Sequence, residues 1–385
     1  MSRPAGIASQ GPDPMLFWLG LALVGIGLIA IASASIEYGD WHFGNPWHHT
    51  TRHGIYLAIA AIMAAVTYRI PIDVWQRLSP LCLLVALGLL MLVLIPGIGR
   101  NVNGSQRWLP LGPITLQPSE IAKFALVLYT AGFLVRHEDT VRRSWQGIAK
   151  PVFVLCLVAL LLLLEPDFGA TVIATGTVFG MLFLAGARLS YVLGLVGLAL
   201  GGLVVMVWAA PYRLQRLTAY TDPWSDPYGS GFQLIQSLIA YGRGEYLGVG
   251  LGNSIQKLFY LPEAHTDFVF SIWAEETGLI GALLVIVLYA LLVARIMMIG
   301  LKAQRAHELF AAYVCFGVAL IFAGQAFVNM GVSSGLLPTK GLTLPFISYG
   351  GSSLIISCMM LAVILRIEHA LRAARDGGDG KGVRL

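Results

Sequence analysis

PVFVLCLVALLLLLE (residues 151–165) followed, after Pro166-Asp167-Phe168, by GATVIATGTVFGMLFLAGA (residues 169–187) decides the fold. Neither run has a charge in its interior, and only a Pro-Asp-Phe-Gly turn separates them. Segments with no water-facing side belong in a bilayer. No water is available there to bond exposed backbone, so each run is predicted to be a helix that satisfies its own N–H and C=O groups.

The same pattern extends in both directions. Ten spans are predicted, at about 15–35, 54–69, 78–97, 118–135, 151–165, 169–187, 190–210, 269–294, 309–330 and 349–371. The composition agrees: of 385 residues, 57% are apolar and only 12% charged, about half the charge of a soluble domain. The fold class is therefore all-α and polytopic, with about ten transmembrane helices. The chain divides into a short tail (1–14), a membrane domain (15–371) and a flexible, Gly-rich tail (372–385). Ala32-Ser33-Ala34 resembles a signal-peptidase site, but the apolar run before it is longer than the ~7–15 residues of a signal h-region. It is read as an uncleaved first span.

Arg69, Arg77, Arg136, Arg142, Arg143, Lys150, Arg188, Arg295, Lys302 and Arg305 fall in alternate connections, and the carboxyl tail adds five more basic residues. The positive-inside rule puts both termini in the cytoplasm. The net charge of +5 is mostly this signal, and no clustered basic face points to nucleic acid. Cys82, Cys156, Cys315 and Cys358 all lie in apolar segments and form neither a disulfide framework nor a metal cluster.

Two outer loops stand out, about 98–117 and 211–268. The second is far longer than a turn needs, which marks it as functional. Within it, Phe232, Ile235, Leu238 and Ile239 share one helical face, predicting an amphipathic helix on the outer membrane surface. Gly248-Val249-Gly250-Leu251-Gly252 follows no strand, so it reads as turns rather than a dinucleotide loop.

Ionisable groups at membrane depth are costly and are candidates for function. Glu120 and Lys123, spaced i, i+3, form either a self-neutralising pair or an outward-facing cation for an anionic head group. Asp167 is a helix cap or a contact to metal or substrate. Arg213 and Arg216 break the positive-inside trend and suit phosphate, as does the outer Lys340. Ser348 lies in a Gly- and Ser-rich approach to the last span.

The sharpest stretch is Leu261-Pro262-Glu263-Ala264-His265-Thr266-Asp267-Phe268. An extended backbone would put His265 and Asp267 on one side. Desolvation at the edge of a span raises a carboxylate's pKa towards the range of a useful base. The alternative for Asp267 is an N-cap. Glu275 and Glu276 are expected to line the same interior. Glu263 and Asp167 are weak candidates for a divalent cation, since no ligand spacing compels one.

Four motifs in order, Gln117-Pro118-Ser119-Glu120-x-x-Lys123 with Arg107-Trp108 before it, Pro166-Asp167-Phe168-Gly169, Pro262-Glu263-x-His265-Thr266-Asp267-Phe268, and Pro345-Phe346-Ile347-Ser348-Tyr349-Gly350-Gly351-Ser352-Ser353, resemble the SEDS family (shape, elongation, division and sporulation) from about residue 15 to 371. Leu337-Pro338-Thr339-Lys340-Gly341 is similar to its cell-division branch. Glu165 departs from the Gln that many members carry. The resemblance implies a peptidoglycan glycosyltransferase that polymerises lipid II at the outer face of the inner membrane, at the septum, with Asp267 as its essential residue. His265, Lys123, Glu120, Arg213, Arg216, Lys340 and Ser348 are the expected substrate contacts. It also implies a class B penicillin-binding protein and other division proteins as partners, with no certain cofactor. Two other readings stand beside it. One is a carrier that flips lipid II, using Glu120, Lys123, Glu275 and Glu276 near the midplane. The other is a non-catalytic scaffold.

Overall fold

A computed structural model describes residues 11–102, 105–112, 114–208, 220–338 and 341–376. Ten long helices stand where the ten spans are expected: α1 (Pro14–Phe43), α2 (His48–Arg69), α3 (Ile72–Val93), α4 (Pro118–Arg136), α6 (Trp145–Leu164), α7 (Phe168–Leu184), α8 (Leu189–Trp208), α10 (Val269–Arg305), α11 (Leu309–Ser333) and α12 (Gly351–Asp376). Between them lie two shorter helices, α5 (Glu138–Arg143) and α9 (Phe232–Gly244). Among the described residues, seven helices are long and apolar enough to cross a bilayer; α2, which opens on His48, His49, Arg52 and His53, is not one of them.

Local chemistry sets the helix ends. Asp13 caps α1 by accepting from Met15 N at 3.0 Å, with Pro14 in the first turn. Gly44 ends α1 in the left-handed conformation. Ser144 caps α6, and Asp167 caps α7. In the packed bundle α4 and α11 are buried on nearly all sides, while α1, α3, α6 and α10 bury one face and leave the other to lipid.

The connection after α3 is not an irregular loop. It folds into an antiparallel meander of β1 (Arg100–Val102), β2 (Ser105–Leu111) and β3 (Ile114–Leu116), paired in chain order. Its closing end is tied to the last helix: Ser352 Oγ accepts from Gln117 N (2.9 Å) and donates to Thr115 O (3.0 Å).

The predicted amphipathic helix exists as α9, but it does not lie on the surface. It docks onto α10 and α11 through Leu234, Ile235 and Ala240, and Ser237 bonds Ser271 and the Ser333 carbonyl at 2.6 and 2.5 Å. A helix with apolar residues at i, i+1 and i+6 finds more apolar area against two neighbours than at a head-group layer. The glycines at 248, 250 and 252 all take positive φ, as turns require.

Glu275 and Glu276 do not line the interior that holds Asp267. Glu275 meets Arg243 Nη1 at 2.7 Å and Ser254 Oγ at 2.5 Å. Glu276 accepts from Ser33 Oγ (2.5 Å) and Lys257 Nζ (3.3 Å). Two buried carboxylates must find partners, and here they bind α9, the following loop and α1 into one block. Directly beyond them α10 is broken at Gly278 (φ 68°, ψ −165°), where the backbone of Tyr246 and Gly248 presses in. A side chain there would be strained and crowded.

At the opposite end of the bundle Asp13 and Glu368 share Arg295, Lys302 and Arg372 at 2.6–3.8 Å. This network brings the start of α1 and the end of α12 to the same end of the molecule.

Removing one member of a buried ion pair leaves the other uncompensated, at about 3–5 kcal/mol. Glu276→Gln is therefore expected to lower the unfolding midpoint of the detergent-solubilised protein clearly, and Glu276→Lys with Lys257→Glu to recover part of the loss. A midpoint unchanged in Glu276→Gln would show that the block does not depend on this pair.

Candidate active site

Three segments converge at the end of the bundle away from Asp13 and Glu368: the turn before α10, the α6–α7 turn and the sheet. The stretch 261–268 is a succession of turns and not the extended strand the spacing suggested. Glu263 has φ 57°, and its carbonyl accepts from both Thr266 N and Phe268 N at 3.2 Å. Coiling sends His265 and Asp267 in different directions, because alternate residues share a side only in extended chain.

Asp267 is half-buried and does not cap α10, whose N-cap is Phe268 without a side-chain bond. Its backbone carbonyl accepts from Asn329 Nδ2 at 2.9 Å; the same amide reaches Leu342 O at 2.6 Å. Asn329, an amide in the apolar α11, thus pins the two loops that face each other across the site. Among the described residues no hydrogen bond reaches the Asp267 carboxyl. Burial, then the neighbouring Glu263 carboxylate, push it up to about 7; Arg107 pulls the other way and Asp167 adds to the rise.

Arg107, on β2, was quoted in the sequence only as part of a motif. Its Nε and Nη2 donate to the carbonyls of Glu165 and Pro166 at 3.1 and 2.5 Å, so the sheet holds the α6–α7 turn against Asp267. Pro166 is at φ 34°. Glu165 is fully buried, and neither carboxylate oxygen has a hydrogen-bond partner. Asp167 takes the capping role: it is 2% exposed and accepts from Ala170 N at 3.1 Å. Glu263 accepts from Thr266 Oγ1 at 2.6 Å. Among the described residues, no three His, Cys, Asp or Glu side chains are grouped to hold a metal.

The other candidates divide. His265 sits in a ring cluster with Tyr38, His49 and Tyr349, at centroid distances of 5.2, 4.9 and 5.7 Å, and burial lowers its pKa to about 4. Lys123, 1% exposed, is paired with Glu120 at 2.8 Å, so the pair is self-neutralising and does not open onto a cavity. Ser348 is buried too, and its hydroxyl accepts from Leu344 N at 2.8 Å, closing the turn before α12. A polar side chain already bonded inside the protein has little left for a ligand. Arg213, Arg216 and Lys340 lie outside the described residues.

Among the described residues, ten long helices, a docked short helix and a half-buried carboxyl under the influence of an arginine define a polytopic membrane protein with a candidate site at one end of its bundle. The chain matches the family model described as cell cycle protein, that of FtsW, RodA and SpoVE, over residues 14–373. It is 57% identical over 355 residues to the probable peptidoglycan glycosyltransferase FtsW of Hahella chejuensis, covering 92% of this chain and 89% of that one. To the probable peptidoglycan glycosyltransferase FtsW of Pseudomonas fluorescens it is 55% identical over 369 residues, covering 95% and 90%. Among solved structures, a chain described under structural coordination of polymerization and crosslinking by a peptidoglycan synthase complex superposes with TM-score 0.74 at 34% identity, over 93% of this chain and 97% of that one. The rod shape determining protein RodA of Thermus thermophilus superposes with TM-score 0.67 at 28% identity, over 95% and 98%. The chain belongs to this FtsW–RodA–SpoVE family, the SEDS family of the sequence resemblance, and resembles its FtsW members most.

A Cβ at Gly341 would lie 2.6 Å from Asp267 Oδ2. Gly341→Ala is expected to displace the carboxyl while leaving the bundle intact: turnover falls, and the thermal midpoint stays within a degree or two of wild type. Normal turnover in that variant would show that the carboxyl has room to move without consequence.

Proposed function

We propose that this protein is a peptidoglycan glycosyltransferase that polymerises lipid II into glycan strands, with Asp267 as general base. The relatives above carry that activity in their names. The observation that carries the chemical part is the state of Asp267: half withdrawn from water, free of any capping duty, raised to about 7 and faced by Arg107. A base works best when its pKa lies near the working pH.

In the proposed step the Asp267 carboxylate takes the proton from the 4-hydroxyl of the acceptor sugar. The oxygen attacks the anomeric carbon of the growing chain as the bond from that carbon to the carrier's pyrophosphate breaks. The pyrophosphate leaves with the electron pair, and the α-linked donor becomes a β-linked product. Negative charge grows on the leaving group, so cations held in place before the reaction lower the barrier most. Arg213, Arg216 and Lys340 are assigned that work from the sequence. Lys123 is not, because Glu120 already neutralises it.

The reading places both termini in the cytoplasm and Asp267 on the outer side, at the division septum. The shared location of Asp13, Glu368 and their arginines at one end, opposite Asp267, supports a common side for the termini. The proposed division is tails at 1–14 and 372–385 with one membrane domain between, and α12 carries the helix on to Asp376, into the second tail. A cross-linking class B penicillin-binding protein is the expected partner; the synthase complex that resembles this chain supports it. The carrier alternative loses its basis, since Glu120, Lys123, Glu275 and Glu276 are all engaged in ion pairs.

Purified protein with labelled lipid II tests the role. Asp267→Asn and Asp267→Ala are expected to abolish polymer while the protein stays folded, because a positioned base supplies about 10²–10⁴-fold. The base acts deprotonated and its pKa is raised, so the wild-type rate falls as pH drops through about 7. Arg107→Gln removes the opposing charge and moves that limb to higher pH. Polymer formation by Asp267→Asn, or a rate flat from pH 5 to 8, removes Asp267 from the role.

A further inference from the structure

The reaction requires a place for the carrier's pyrophosphate, and the first turns of α2 have the character of one. Six buried polar atoms without any hydrogen-bond partner lie within six consecutive residues there: His48 Nε2, both ring nitrogens of His49, Thr50 Oγ1 and both ring nitrogens of His53. Elsewhere among the described residues no more than three such atoms fall this close together in sequence. His49 is 8% exposed and His53 fully buried. Buried polar groups are normally bonded, and a cluster that is not signals a ligand or water that belongs there.

The charge of the place says which ligand. α2 is a helix of 22 residues whose N-terminus has no side-chain cap, so the positive end of its dipole is unopposed. The charged or chargeable groups facing His49 are His265, His48, Arg52 and His42, from α1, α2 and the Asp267 turn; none is acidic. A metal would suit imidazoles, but no three of these side chains are grouped to hold one. Orphan imidazoles beside a cation, at the positive end of a helix, make a receptor for an anion.

Its position fits the reaction. His49 and His53, one turn apart, share a face of α2, and that face meets Tyr349 and, through His49, His265 at 4.9 Å. His265 stands two residues from Asp267. An anion held here lies on the His265 side of the turn, apart from the Asp267 carboxyl, as an inverting displacement requires of its leaving group.

We propose that the first turns of α2 bind the pyrophosphate of the lipid-linked substrate, with the His49 and His53 imidazoles as its donors. The inference rests on the glycosyltransferase reading for the identity of the anion, but the site itself does not.

The test is equilibrium binding of undecaprenyl pyrophosphate to the purified full-length protein in detergent. His49→Phe and His53→Phe keep a ring of similar size and delete the nitrogens. Losing a charge-assisted hydrogen bond is expected to weaken binding by about tenfold or more. The thermal midpoint of these variants should be equal or higher, because an orphan polar group has been removed from the interior. Asp267→Asn should bind like wild type, and inorganic pyrophosphate should compete. Wild-type affinity in both Phe variants overturns the proposal, as does displacement by phosphatidylglycerol at equal concentration, which would make this a general head-group site. A protein that binds undecaprenyl pyrophosphate through His49 yet makes no polymer upholds the site and sinks the polymerase reading instead.

Discussion

Asp267 is held where water only half reaches it, against the carboxylates of Glu263 and Asp167 and with the guanidinium of Arg107 as the opposing charge. Ionising a carboxyl in such a place is unfavourable in itself. The folded state accepts that penalty because the surroundings are fixed from several sides. Asn329 holds the backbone of residue 267, Gly341 leaves just enough room for the side chain, and Arg107 ties the sheet to the α6–α7 turn. Loosening any of these would let water or a solvent ion reach the carboxyl and return it to ordinary acidity.

The bundle supplies the rigidity. In a membrane the apolar effect does little to bring one helix to another, and packing and polar contacts decide the arrangement. Charged groups are therefore concentrated at a few buried points: Arg243–Glu275 and Lys257–Glu276 at one end, and Asp13 and Glu368 with three basic partners at the other. At the second point, Arg295 and Arg372 bring Asp13 together with segments far along the chain. The break of α10 at Gly278 lets one continuous element both cross the bundle and present the Asp267 turn at the required angle.

Imidazoles at the start of α2 complete the picture on the substrate's side. A catalytic carboxylate and a phosphate repel in a partly dry site unless they are held apart. Neutral ring N–H donors on α2 can hold the phosphate without burying permanent charge.

Hydrophobic runs, turn residues and charge asymmetry along the chain determine ten spans, the positions of the outer loops and the importance of the Leu261–Phe268 stretch, because the bilayer imposes those features one segment at a time. Long-range pairing carries no such periodic signal. The chain alone therefore suggested an extended His265–Asp267 segment where turns form, an interfacial α9 where it docks on α10 and α11, and Glu275 and Glu276 beside Asp267 where they bond Arg243 and Lys257. Nor does any local pattern announce the small sheet, the reach of Arg107 to the α6–α7 turn, or the meeting of His49 with His265. Only the packed bundle decides these, because each depends on which partner a buried polar group finds once water is gone.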